Sequence, residues 1–423
     1  MTQPQKKSFA LGYSYILHSM ISYWLYAAAA STGLNTIVPL FAAKNGVDQA
    51  AVLSANTVGA FFACIAVLLL GKLIAKKGIR FTTTVSAIAA GVLGALMMCF
   101  VKGILGYAIC TIFAQGLVYG YSYSATNALI TNWWPRKKGF IMGITTTGIM
   151  IASFTVVRWM SAIGNTYGFD KMMFLVSGLL IAFGVVSAFW IHDRPEDVGL
   201  APDNIPLTEE EKQDAYFKAQ SQEEAAKRWP ISKILKNRCA WCIMLAFGIL
   251  FMFTSGVAST TVAFCIESGF APPQAVNVMS ITAVVGVFGS LILGAVDTKW
   301  GPKTASLAGA VWVILSFFSL LVFKGSTGAV VCLCMTNMTM GAIANLGPSI
   351  IATCFGRDCF TQCYRVIYTG VYLIRSLCFV MIGSGVTLLG SYRSVYIIFG
   401  VIAIVAAIAV FFINDKTIQQ PAE

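Results

Sequence analysis

A chain of 423 residues that is 57% hydrophobic and only 11% charged has the composition of a polytopic membrane protein. Its formal net charge of +12 does not mark a nucleic-acid binder, because no basic patch belongs to a soluble domain. With two histidines and no nucleophile elbow, phosphate loop or metal-ligand spacing, the sequence offers neither an enzyme active site nor a cofactor site.

Twelve apolar runs fall at about 14–42, 51–71, 81–101, 104–132, 140–163, 172–192, 239–266, 274–296, 304–323, 328–352, 365–389 and 394–413. Each approaches or exceeds the roughly 20 residues that a helix needs to cross a hydrocarbon core of about 30 Å. With both termini in the cytoplasm, 22 of the 29 Lys and Arg residues lie in inside segments, five in outside loops and two within spans. The basic balance is therefore a topology signal. Lys6 and Lys7 precede a run that is too long for a signal peptide and lacks a small-residue cleavage site, so it reads as the first span. The twelve cysteines sit in or beside spans or on the inner side, where disulfides do not persist; Cys239, Cys242, Cys354, Cys359 and Cys363 read as apolar filler.

Span one carries Tyr23, Trp24 and Tyr26, then Ser31, Thr32 and Asn35, a polar streak suited to a cavity wall. His18 near its inner end is expected to snorkel to the interface. The basic turn from Gly71 to Arg80 recurs 223 residues later as Gly294 to Lys303, with a shared G-x6-G-x-[RK] skeleton. The repeat implies two halves of six helices. These turns resemble the loops between helices two and three and between eight and nine of the major facilitator superfamily. That family places an aspartate in the loop, against a neighbouring helix end, which stabilises the outward-open form. Here Ala75 stands in the first copy and Asp297, one residue early, in the second.

Span four contains Gln115, Tyr119, Tyr123 and Asn127 and ends in Trp133-Trp134-Pro135-Arg136-Lys137-Lys138-Gly139. Both tryptophans are expected to anchor at the membrane interface, with Pro135 breaking the helix. The turn resembles the W-F-P-x-[KR]-[RK]-G loop of the oxalate/formate antiporter and monocarboxylate porter branch of the superfamily. That resemblance implies a substrate-cavity role for Tyr123, ten residues before Trp133; a tyrosine packed between helices is the alternative. Span five presents Gly139, Gly143, Thr145, Thr146, Thr147 and Gly148, a small-residue face for close helix contact or cavity lining. Arg158, 19 residues beyond Gly139, lies near the outer surface as a snorkelling or funnel residue. The segment Arg194-Pro-Glu-Asp-Val-Gly-Leu200 resembles the start of the central loop in bacterial carboxylate porters, and Thr208 with Glu211 forms a capping box opening a charged helix to about Arg228.

Spans seven and eight are polar but uncharged, whereas oxalate-type members of the branch carry a basic residue in span eight as well as one in span eleven. Only the span-eleven cation is kept, as Tyr372-x-x-Arg375. Arg375 stands ten residues beyond Arg365, about 15 Å along a helix and so at mid-depth. A guanidinium there costs at least about 2.5–3.5 kcal/mol and needs a water-filled cavity, a counter-charge or a ligand. Tyr368 and Tyr372 share its helical face, an arrangement suited to a carboxylate with an apolar body. Bonding to a neighbouring helix's carbonyls is the plain alternative. All 17 acidic residues fall in loops, tails or span ends, so no mid-span carboxylate presents itself as a proton carrier.

The expected fold class is an all-α membrane protein of twelve transmembrane helices in two pseudo-symmetric six-helix bundles, 1–193 and 239–423, joined by a cytoplasmic linker at 194–238. The expected function is secondary transport of a small organic anion, foremost a monocarboxylate, by exchange or facilitated uptake, in a monomer of the inner (plasma) membrane with the lipid bilayer as its other partner. Arg375 would pair the carboxylate, with Tyr372, Tyr368 and Tyr123 shaping the pocket. Asn337, Asn35, Tyr119 and Arg158 complete the candidate substrate-binding set. Proton-coupled transport of larger steroid-like or aromatic acids, and a non-transporting membrane sensor, are the alternatives.

Overall fold

A computed structural model describes residues 3–206, 229–356 and 359–414, so the capping box at Thr208 and Glu211 lies outside the described residues. Eleven helical segments among them are long and apolar enough to cross a membrane. One of these, Ala55–Cys99, spans 45 residues and contains a full reversal at Gly78, whose φ of 88° and ψ of 171° suit only a residue without a Cβ. Counting the two arms separately gives twelve crossings.

The first crossing is α1 (Gln3–Ala30) with α2 (Leu34–Asn45). The second and third belong to α3 (Gln49–Ala89) and its wide-turn continuation to Cys99. The fourth is α4 (Gly103–Tyr119), a π-helical turn (Gly120–Ala125) and α5 (Thr126–Trp133); α6 (Lys138–Tyr167) and α7 (Phe169–Trp190) follow. A short antiparallel pair, β1 (Leu200–Ala201) with β2 (Ile205–Pro206), precedes α8 (Ile231–Lys236). The remaining crossings are α9 (Arg238–Glu267), α10 (Pro272–Trp300), α11 (Pro302–Val322), α12 (Gly325–Phe355), α13 (Phe360–Ser376) continued by α14 (Cys378–Leu389), and α15 (Tyr392–Phe411). Large apolar side chains such as Phe189, at 83% exposure, cover the outer surface as lipid requires.

Helix α3 packs on α4 and α7, and α1 on α6; in the second half α9 packs on α13 and α15, and α11 on α12 and α15. The halves meet where α6 lies against α10 and α12, and where α3 lies against α13. This seam is tight at the end of the molecule that carries the basic turns, called here the basic end. There Lys138 Nζ donates to Thr353 Oγ1 at 2.6 Å, the Phe140 N–H to Thr298 Oγ1 at 2.9 Å, and Ser290 Oγ to the Gly143 carbonyl at 3.0 Å. Thr146 and Ser290 hydroxyls are 2.7 Å apart, and Asn127 Nδ2 donates to Tyr364 Oη at 3.4 Å. Backbone closeness explains the glycines of α6: a Cβ on Gly143 would stand 2.9 Å from the Ser290 carbonyl oxygen. The basic end is therefore closed.

Two expectations are corrected by this packing. Trp133 and Trp134 are buried within the protein rather than set as interfacial anchors; Trp133 Nε1 donates to the His192 carbonyl at 3.1 Å and its ring meets Tyr15 edge-on at 4.7 Å. His18, 1% exposed, does not snorkel: its Nε2 is 2.8 Å from Ser187 Oγ and its ring stacks on Phe183 at 4.8 Å, because α1 and α7 close over it. Asp297, three residues before the end of α10, is 4% exposed and pressed against Gly139 at the start of α6, a neighbouring helix end.

Asp193 organises the basic end of the first half. Its carboxylate accepts from the Ile79 and Arg80 N–H groups at 3.0 and 2.8 Å, capping the helix that leaves the Gly78 reversal, and its carbonyl accepts from Asn132 Nδ2 at 3.2 Å. Replacing Asp193 by Ala removes both caps, each worth about 0.5–2 kcal/mol, and is expected to lower the melting midpoint of the purified protein by several degrees. An unchanged midpoint would show that the reversal is held by Gly78 alone.

Candidate functional site

Helix α13 carries Arg375 inward, where it is 6% exposed. Its Nε donates to Ser255 Oγ on α9 at 2.6 Å. The guanidinium carbon lies 5.2 Å from the centre of the Tyr119 ring and 6.0 Å from that of Tyr372. Buried Nη1 has no hydrogen-bond partner among the described residues. Nor does a carboxylate neutralise it: the ion pairs among the described residues, Lys44 with Asp170 and Arg136 with Asp203, lie elsewhere. A charge held by one hydroxyl and two ring faces keeps part of its hydrogen-bonding capacity open.

Aromatic rings from both halves form the wall around it. Tyr119 and Tyr372 rings are 4.6 Å apart across the seam, and Tyr123 sits 5.5 Å from Tyr119, 4.9 Å from Tyr26 and 5.2 Å from Tyr23. Tyr26 and Tyr119 hydroxyls are 3.2 Å apart, while Tyr23 Oη donates to Asn127 Oδ1 at 2.9 Å. Phe251, one helical turn before Ser255, reaches within 5.9 Å of Tyr123 and 6.2 Å of Tyr372. The wide turn at Gly120–Ala125 lies within this wall, a local departure from α geometry of the kind found at functional sites.

The candidate residues divide by geometry. Arg375, Tyr372, Tyr119 and Tyr123 come together. Tyr368 stands one layer nearer the basic end, 5.5 Å from Tyr372 and stacked on Tyr364 at 4.1 Å, and its buried hydroxyl has no hydrogen-bond partner among the described residues. Asn337 does not join them; its Nδ2 donates to Thr282 Oγ1 at 3.3 Å and to the Leu333 carbonyl at 2.8 Å, linking α12 to α10. Asn35 spends its Nδ2 on the Thr32 carbonyl at 3.0 Å, within its own chain turn. Arg158 is exposed on the outer half of α6, apart from the rings. Tyr26, Phe251 and Ser255 belong to the site although the sequence reading did not nominate them. Tyr26 stood in the polar streak of span one without being singled out, and the i, i+4 spacing of Phe251 and Ser255 hinted at a shared face.

Relatives and solved structures agree with this architecture. The chain is 24% identical over 292 residues to the glucose-6-phosphate exchanger SLC37A2 of Xenopus laevis, covering 61% of this chain and 56% of that protein. It is 20% identical over 294 residues to the membrane sensor protein UhpC of Salmonella typhimurium, covering 67% of this chain and 64% of that one. The chain thus spans little more than half the length of the first and under two thirds of the second. Among solved structures, the proton:xylose symporter XylE superposes with a TM-score of 0.77 at 13% identity, over 97% of this chain and 98% of that one. FucP in its outward conformation gives 0.67 at 12% identity, over 94% and 98%. Residues 19–377 match the profile of the Major Facilitator Superfamily, and the protein belongs to that family.

Proposed function

We propose that the protein is a secondary transporter that carries an organic anion, a monocarboxylate foremost, across the plasma membrane by alternating access. Two halves, 1–193 and 239–423, rock about the linker 194–238, with the basic end and both termini in the cytoplasm. Arg375 carries this reading: a buried guanidinium with no carboxylate partner and an unpaired Nη1 among the described residues, held by Ser255 and faced by Tyr119 and Tyr372. An incoming carboxylate would accept from that open edge and lay its apolar body on the tyrosine rings, relieving the cost of the isolated charge. One cation suits one negative charge.

The acids that the structure describes within the spans sit at helix ends. Glu267 accepts from Ser391 Oγ at 2.6 Å and the Tyr392 N–H at 2.8 Å, and Asp297 lies in the basic-end seam. That placement supports exchange or facilitated uptake over proton symport through a central carboxylate. The Trp133-Trp134-Pro135 turn and the Tyr372-x-x-Arg375 pair support a place near the oxalate/formate and monocarboxylate branch. A phosphate ester is the second reading, favoured by the exchanger relative; a dianion asks for a second cation, and Arg158 is the remaining one within a span.

Counterflow in proteoliposomes with labelled short monocarboxylates, aromatic acids and sugar phosphates tests both. Exchange of a monocarboxylate is expected, and Arg375→Ala is expected to reduce it about 10- to 100-fold, the weight of a charge-assisted hydrogen bond lost from a buried site. Undiminished flux in the folded variant would remove Arg375 from the mechanism, exchange confined to sugar phosphates would replace the substrate class, and tight binding without flux would favour a sensor. Ser255→Ala frees the guanidinium without removing its charge. It is expected to raise the half-saturating concentration several-fold with little change in maximal rate, because it removes orientation common to bound and moving states; equal loss of maximal rate would assign Ser255 a role in the conformational step.

A further inference from the structure

Asn345 on α12 is 0% exposed, and neither its Oδ1 nor its Nδ2 has a hydrogen-bond partner among the described residues. Buried amides are rarely left so; Thr146, Ser290 and Asn127 in the same seam are paired, whereas Ser349 Oγ, one turn along the same helix, and Asp297 Oδ2 have no hydrogen-bond partner among the described residues. Its side chain lies where the halves meet, with Nδ2 3.5 Å from where a Cβ on Gly143 of α6 would stand. The Tyr368 hydroxyl, packed against Gly347 of the same helix, is a second buried group without a partner. Tyr368 precedes Arg375 by seven residues, about 10 Å along α13 toward the basic end. Tyr368 therefore lies between the cation and the basic end, and Asn345 lies in the closed seam itself.

We propose that Asn345 is a hydrogen-bonding station on the path from Arg375 to the basic end, unpaired while that end is closed and paired when α6 and α10 separate there. Its partners in the open form are small neutral or anionic hydrogen-bonding groups: water first, and the hydroxyl or carboxyl of a passing solute. A buried amide without a protein partner weighs against the closed form, and pairing on opening removes that weight. The residue thus keeps the tightly packed seam from becoming a trap. The solute's part in this rests on the transport reading above; the bias against closure does not.

Asn345→Leu, an apolar replacement of similar volume in the full-length protein, separates the two. Without any substrate, its melting midpoint is expected to rise, and amide hydrogen exchange at the basic ends of α6 and α10 to slow about tenfold, the weight of one buried unpaired group. Asn337→Leu, whose amide is paired to Thr282 and Leu333, is expected to lower the midpoint. A fall in the midpoint of Asn345→Leu, or unchanged exchange, would show the amide already satisfied in the closed form and overturn the proposal. So would a rise shared by both variants. Should Asn345→Leu not fold, Asn345→Ala removes the same two atoms, and faster exchange in it overturns the idea equally. Failure of anion counterflow with the exchange result intact would dismiss the substrate reading alone.

Discussion

The structure turns on a buried guanidinium that no acid among the described residues pairs. Burial of Arg375 is offset by one hydroxyl and the faces of two rings, each weaker than a carboxylate. Had an Asp or Glu stood where Ser255 stands, the pair would be self-contained and a solute anion would have to displace it. The surrounding rings do two things at once. They lower the local dielectric, which strengthens electrostatic interactions at the guanidinium, and they present flat apolar surface beside it.

Around that centre, the two halves of the chain meet through different chemistries. Toward the basic end, α6 and α10 approach until their backbones nearly touch, and hydroxyls bridge what glycine leaves open. At the level of Arg375 the contact is made by rings, Tyr119 from one half against Tyr372 from the other. Ring contacts tolerate sliding; backbone contacts do not. A seam that is rigid at one end and compliant in the middle can part at the rigid end without dismantling the centre.

Much of this was readable beforehand, and the failures share a cause. Run lengths and the two basic turns located every crossing, including the Gly78 reversal inside one long apolar stretch, because those signals are local. Counting residues along a helix set Arg375 ten residues beyond Arg365, and spacing set Tyr372 on its face; Tyr123 came from the resemblance of the Trp-Trp-Pro turn, and Tyr119 from its place in span four. His18 and Trp133 were misjudged because amphipathic side chains near a span end look alike whether they meet lipid headgroups or another helix. Asn35 and Asn337 were drawn into the candidate pocket by polarity at depth, yet a polar side chain in a membrane is as readily satisfied by a carbonyl of its own helix. Ser255 could not be chosen over its polar neighbours in span seven without knowing which face of α9 turns toward α13.

The Asp193 contacts carry a mechanical implication. By gripping the start of one helix with its carboxylate and the end of another with its carbonyl, while His192 beside it holds Tyr15 and Trp133, this corner fastens four crossings into a single lever arm. A lever so braced cannot flex internally to admit a solute. Whatever displacement opens the path has to be delivered whole, at the boundary between arms, so that force applied at one membrane face is felt at the other.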